Sequence, residues 1–380
     1  MKKTICLFSA VFILALSTSA SALEKREFTF QGALGADIPF DKGDGVTIPV
    51  IYGSYITYFG QNMYNDTYLT TTTISSKTGY DSGIYHTGIQ PILSHSVEGG
   101  FRHYDQGYLD EDRHIDGNYA GAIFFLDYRM IENKIITSFK YRPSYYFYDF
   151  MPNDSEIDMP DNHFAHVGST EIVYQDLTES NLGIIKHGAR FSTKYEYMHR
   201  VSYGTYDLYD SDIDQSHKFY ADLGLYYNYA NDYNLLFDIR SAYHKDVDRN
   251  NAERIGSYTA EHANMPGHYN SEFRHDRYIM GRLQFGIPIG DKWGSRIQPG
   301  FNILYMPENN KVVGQADYPR TTYKSLSLGF STRIAGALPL FVNYAYGIDA
   351  ERKDAPDGRV SKGSHEVMAY AVFGFGSTAK

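Results

Sequence analysis

Cysteine is nearly missing from this chain: the only one, Cys6, lies close to its start. The rest of the chain holds none, which excludes disulfides, thiolate catalysis and cysteine-ligated metals there. Tryptophan is almost as rare, with one residue, and proline is sparse at 13 in 380. Positive charge is also short, with 35 Lys and Arg against 45 Asp and Glu and a formal net charge of −10. Phosphate backbones require a basic face, so this balance argues against nucleic acid as a partner. Beyond the first residues no apolar run approaches the roughly 20 residues of a membrane-spanning helix. A hydropathy scan would therefore read the chain as soluble, although a barrel hides its apolar residues at every second position.

The start carries the three parts of an export signal. Lys2 and Lys3 supply charge, Ile5 to Leu16 is a short apolar stretch, and Ala20, Ser21 and Ala22 offer small residues at a cleavage point. The stretch is too short for an anchor. The expectation is a signal peptide over 1–22 and one domain over 23–380. Removing that signal takes two lysines and no acid, so the net charge moves from −10 to −12.

What is abundant is tyrosine, with 36 residues, together with alternation. Phe219, Ala221, Leu223, Leu225, Tyr227 and Tyr229 share one face of a stretch whose other face holds Lys218, Tyr220, Asp222 and Asn228. Tyr233, Leu235, Phe237, Ile239 and Tyr243 oppose Asp238, Arg240 and His244. The same period of two returns over 291–306, 325–334 and 338–349. Alternation places all apolar side chains on one face of a strand. Soluble strands average about 5 or 6 residues, whereas a membrane-spanning strand needs about 9 to 11.

Short connectors at 131–134, 178–181, 230–232, 290–291 and 335–337 alternate with long polar ones at 105–119, 151–163, 201–216, 248–271, 307–321 and 353–364. Tight periplasmic turns and long extracellular loops follow this rhythm. About fifteen segments can be counted, with 65–75 as one segment in an ambiguous N-terminal third and 272–289 as another. Such barrels usually have even strand numbers. The expected fold is all-β: a closed antiparallel transmembrane β-barrel of 14–16 strands in the outer membrane of a Gram-negative bacterium. In 272–289 the apolar face is clean only from Ile279, so His275 and Arg277 are expected above the bilayer.

Charges on the polar faces must line a lumen, because they are expensive against lipid. Lys140, Arg142, Lys186, Arg190, Lys194, Glu196, Asp238, Arg240, Arg282, Arg296 and Arg333 form this set. They either pair with one another and plug a closed barrel or line a channel that passes small anionic solutes. Acidic loops suggest solvated surfaces, with Asp210, Asp212 and Asp214 the weak candidate for a calcium ion that could bridge lipopolysaccharide. No cofactor is expected. His262, His268 and His275, near Glu272 and Asp276, raise the alternative of a hydrolase at the rim. The nearest nucleophile motif, Ser94-His95-Ser96, puts neighbours on opposite faces. Tyr229, Tyr233, Tyr305, Tyr323 and Tyr346 at strand ends suit interfacial girdles.

The order of a long loop with a Gly-aromatic tip, "MPGHYNSEF", then a strand, a tight turn and further strands to a final "AYAVFGFG" resembles the barrel of the bacterial surface antigen (D15/Omp85) superfamily, in a short form without periplasmic modules. The resemblance implies a loop tip, here Gly267, His268 and Tyr269, folded into the lumen. It also implies a tip arginine paired with a carboxylate on a following strand. Pro266 stands where that arginine would be and Gln284 where a glutamate is usual. The opening "GALGADIPFDKGDGVTIPVIYGSYITYFG" is similar to the MipA/OmpV barrels. Both resemblances imply a non-enzymatic outer-membrane barrel, either a passive pore or a surface-antigen-like protein, with a structural or adhesive role as a further alternative.

Overall fold

The computed structural model describes residues 27–39, 48–59, 62–95, 101–105, 108–150, 161–179, 185–204, 212–229, 233–258, 262–268, 272–290, 294–313, 318–334, 338–353 and 360–377. The expected signal peptide lies outside them. The strands are β1 (Glu27–Pro39), β2 (Ile48–Phe59), β3 (Met63–Thr70), β4 (Thr73–Asp81), β5 (Tyr85–His95), β6 (Phe101–Asp105), β7 (Tyr108–Met130), β8 (Ile135–Phe150), β9 (His163–Glu179) and β10 (Ile185–Val201). They continue with β11 (Gln215–Tyr229), β12 (Tyr233–Lys245), β13 (Arg254–Ile255), β14 (Phe273–Arg274), β15 (Arg277–Pro288), β16 (Arg296–Tyr305), β17 (Thr322–Ile334), β18 (Leu338–Lys353) and β19 (Val360–Ser377).

Sixteen of these form a closed antiparallel barrel. Each pairs with its neighbours in chain order, and β19 returns to β1 over a register running from Phe28 opposite Ser377 to Pro39 opposite Glu366. β6 only lengthens β7 beyond the wall, and β13 pairs with β14 inside a loop.

The period of two sets the two faces. Phe219, Leu225, Phe237, Tyr243, Ile279, Phe285, Leu326 and Leu328 are exposed on the outside, and the residues between them point into the lumen. On β12, Tyr233 to Tyr243 is eleven residues, or ten steps along the strand. At about 3.3 Å per residue and a tilt near 40°, that is an apolar height of about 25 Å, the thickness such a barrel presents to lipid.

Three expectations change. The segment 65–75 is two strands, β3 and β4, joined through Thr71 and Thr72 with no glycine, asparagine or proline. The Thr70 hydroxyl oxygen accepts the N–H of Thr72 at 3.3 Å and of Thr73 at 3.0 Å, doing locally what a turn residue does. This tight turn falls on the long-loop rim, so the alternation of short and long connections holds only from β5 onward. The segment 105–119 is largely strand rather than loop. The segment 272–289 starts its wall strand only at Arg277, because Phe273 and Arg274 pair with β13 inside the lumen instead.

Inside the barrel, Ile255, Ala263, Met265 and Phe273 of the 246–276 connection pack on Tyr220, Tyr278, Met280, Leu304, Met306 and Tyr323 of the wall. A smaller cluster of Tyr119, Tyr146, Ala165, Val167 and Met198 lies under β7–β10. Leu328, exposed near mid-height of β17, tests which face meets lipid. Leu328→Arg is expected to lower stability by about 2–4 kcal/mol, read from urea unfolding in lipid vesicles. An unchanged midpoint would move the lipid boundary off this face.

Candidate functional site: a lumen shared between a loop and a cavity

The connection from β12 to β15 turns into the barrel because its ends are tied there. Arg200, at the top of β10, donates to Asp248 at 2.7 Å, and both side chains are almost fully buried. The other oxygen of Asp248 accepts the N–H groups of Asn250 and Asn251 at 3.1 Å. Breaking a buried pair of this kind costs about 3–5 kcal/mol, since one charge is left without compensation. At the base of the loop, burial and the nearby Arg254 and Arg249 pull Arg274 down to about 9. Burial and the charge of Glu366 push the Tyr258 phenol up, so it stays a donor, to the Tyr344 carbonyl at 3.1 Å.

The far end of the loop reaches the seam where the first and last strands meet. Glu366 of β19 accepts the N–H of Tyr258 at 2.9 Å and of Gly267 at 2.6 Å. Ser257 donates to Asp37 of β1 at 3.2 Å. Gly267 has φ +86°, and a Cβ there would come within 2.4 Å of the Gly347 nitrogen on β18. The tip expected from Gly267 and His268 is therefore in the lumen, while Tyr269 lies outside the described residues. The implied arginine–carboxylate pair is replaced: the carboxylate is Glu366 rather than position 284, and backbone N–H groups hold it. The adjacent Pro266 has no N–H to offer.

The inward charges divide. Arg240 donates to Asp238 at 2.9 Å and to the His262 carbonyl at 2.7 Å. Arg282 donates to Asn302 at 2.9 Å and to the Asn264 side chain at 2.5 Å. These two grip the loop. Arg296 is buried beside Gly286, Arg333 is half-buried and Arg190 is exposed. Lys186 falls on β10, with its side chain outside the description.

Across the lumen, Lys140, Arg142 and Lys194 line a cavity of about 630 Å³ together with Lys218. Glu171, Glu196, Asp222, Glu253 and His262 complete its charged lining. Glu196 lies 2.9 Å from Lys194 and 3.5 Å from Lys218. Arg142 stands 4.8 Å over the Tyr119 ring and donates to the Tyr146 hydroxyl at 3.2 Å. His262 joins the two halves, with Nε2 at 2.7 Å from Asp222 and Nδ1 on the Tyr278 hydroxyl.

Sequence reasoning missed Lys218, Glu253 and Glu366. It also missed a chain in which Tyr64 meets His86 at 2.5 Å and His86 meets Asp127 at 2.7 Å. Of these only Lys218 carried a usable signal, its place on the polar face of an alternating strand. The histidines read as rim candidates are not open at the rim. His275 is buried, 3.0 Å from Asp276 and 2.9 Å from the Pro307 carbonyl, and buried His268 lies 3.4 Å from Glu272. Ser94 is buried and bonds Thr73 at 2.9 Å, while His95 turns to Asn118. Asp212 and Asp214 are exposed and Asp210 is outside the description. Among the described residues no three metal-ligating side chains converge.

No family model and no curated protein matches this chain. Solved structures do. CdiB from Acinetobacter baumannii superposes with a TM-score of 0.53 at 13% identity, over 92% of this chain and 60% of that one. BamA from Haemophilus ducreyi lacking POTRA domains 1–3 gives 0.56 at 11% identity, over 92% and 70%. The chain thus spans about 60% of CdiB. At these identities the likeness shows the shared fold, an outer-membrane β-barrel.

The Gly267 contact can be tested directly. Gly267→Ala forces a side chain into a left-handed backbone against β18, an expected cost of about 1–3 kcal/mol. Limited proteolysis of the inserted barrel should then cut within the tip, while the wild-type tip stays protected. Equal protection of both would mean that the tip is not held there.

Proposed function

We propose that this barrel is a non-enzymatic outer-membrane pore that admits small anionic solutes through the part of its lumen left open by its own loop. The observation that carries this reading is the division of the inward cations. Arg240 and Arg282 are used up holding the loop, whereas Lys140, Arg142, Lys194 and Lys218 border open volume. Three carboxylates of that cavity already have partners in the barrel. Glu196 serves two lysines, Asp222 accepts from Ser192 at 3.0 Å, and Glu253 accepts from Tyr220 at 2.8 Å. The four cations of the lining are matched in number by Glu171, Glu196, Asp222 and Glu253, but β8 contributes two cations and no carboxylate to it. A solute therefore meets positive charge along β8, at Lys140 and Arg142, and low-dielectric walls strengthen that local field.

A second reading, a surface-antigen-like barrel, is favoured by the docking of the Gly267 tip on a carboxylate of a later strand. Single-channel conductance of the refolded protein in a planar bilayer separates the two. A steady current with anion preference supports the pore, and silence supports the surface-antigen-like barrel. In the pore, Lys140→Glu with Arg142→Glu should move the reversal potential toward cations. Arg240→Ala should leave selectivity close to wild type. The opposite ranking would overturn the assignment of the two halves.

A further inference from the structure

The upper part of the lipid-facing surface repeats one arrangement three times. Tyr141 on β8 bonds Nδ1 of His166 on β9 at 2.8 Å. Tyr195 on β10 bonds Nδ1 of His217 on β11 at 2.8 Å. Tyr344 on β18 bonds Nδ1 of His365 on β19 at 2.7 Å. In each case the histidine stands two residues nearer the long-loop rim than the residue paired with the tyrosine: Gly168, Phe219 and Val367. Each lies on the outward row, since His166 alternates with exposed Phe164 and Ile172, and His217 with exposed Phe219. With Nδ1 engaged by the tyrosine hydroxyl, Nε2 is the nitrogen on the far side of each ring from that bond.

Between these pairs the same row continues with cations. His217 is opposite Lys245, and Tyr243, the outward residue just below Lys245, is opposite Arg277. His199, facing out between His166 and His217, links the first two pairs. Lys324 extends the row on β17, one outward place above Leu326.

The height of this row identifies what it meets. The apolar band on β12 ends at Tyr243 after about 25 Å, and Lys245 is the next outward residue. The row therefore sits where lipid tails give way to headgroups on the long-loop side. Asp246 lies 3.7 Å from Lys245 and Asp276 3.5 Å from Arg277. Asp246 follows the end of its strand, and Asp276 is buried. Among the described residues no carboxylate shares the outward row of β9–β12 and β15 at this height. At the other rim the outward Lys134 has Asp176 on the same face of the wall at 3.0 Å. On the long-loop side the outward row of β9–β12 and β15 carries histidines and cations instead, which points toward anions in one leaflet.

We infer that this row binds the phosphate groups of a phosphorylated glycolipid in the outer leaflet, with the lysines and arginine as charged donors and the tyrosine-held imidazoles as further polar contacts beside them. Phosphate oxygens are strong acceptors for such donors, and clustered cations next to a bilayer favour anionic headgroups. The inference rests on the reading of the protein as an outer-membrane barrel, and not on its being a pore.

The test uses the full chain refolded into phosphatidylcholine nanodiscs. These are doped with a bis-phosphorylated glycolipid or with the same glycolipid dephosphorylated, and the glycolipid retained per barrel is measured by native mass spectrometry. Wild type should retain the phosphorylated form preferentially. A Lys245→Ala, Arg277→Ala, Lys324→Ala variant should lose about tenfold of that preference, and a His166→Phe, His217→Phe, His365→Phe variant should lose part of it. Lys134→Ala, at the opposite rim, should retain it. Heat-modifiable migration confirms that each variant is a folded barrel. Folded barrels that retain both glycolipids equally, or variants that retain the phosphorylated form like wild type, overturn the inference while leaving the membrane reading intact. Failure of wild type to insert at all overturns both.

Discussion

The pairing of β1 with β19 is the contact on which the rest of this molecule depends. In lipid no water is available to satisfy a strand edge, so a sheet of this length is stable only when its last strand returns to its first. Closure then turns the period of two in the sequence into an inside and an outside. The same operation forces the charges of Arg240, Arg282, Lys140 and Lys194 into a common interior, where each must find a partner or water.

The loop from β12 to β15 is one answer to that requirement. It brings carbonyls to Arg240 and Arg282 and backbone N–H groups to Glu366, so part of the polar lining is satisfied by chain rather than by solvent. It also buries Met265, Ile255 and Phe273 against Met280 and Leu304, a small apolar core inside a barrel whose main apolar surface faces outward. The polar ties orient the loop and the apolar contacts hold it.

Much of the wall was legible because long, regular alternation has one physical meaning. From β8 onward the expected segments match the observed strands, except at the starts of β15 and β19. The N-terminal third was not legible in the same way. Thr71 and Thr72 turn the chain through a threonine hydroxyl rather than through a residue with unusual backbone freedom, and a run of threonines is also good strand sequence. The inward path of the loop was suggested only by resemblance, since its polar residues read equally well as solvated. The partner Glu366 lies 99 residues beyond Gly267, and no local pattern connects positions so far apart. Parity picked out Lys140, Arg142, Lys194, Arg240 and Arg282 while Lys218 was passed over, and parity alone cannot say which cations face the loop and which face the cavity.

That last distinction has a mechanical consequence. The loop is tied to β10 through Asp248, to β12 and β15 through the arginine contacts, and to β1, β18 and β19 through Ser257, Tyr258 and Gly267. Ties on six strands cannot be released by rotation about one hinge, because any motion that relaxes one of them strains others. The loop therefore acts as part of the wall rather than as a lid. On the pore reading proposed above, an entering solute meets the face of β8–β11, where Lys140, Arg142, Lys194 and Lys218 are set by strand register. On that reading, selectivity follows from the spacing of those side chains on the sheet and is insensitive to small motions of the loop tip.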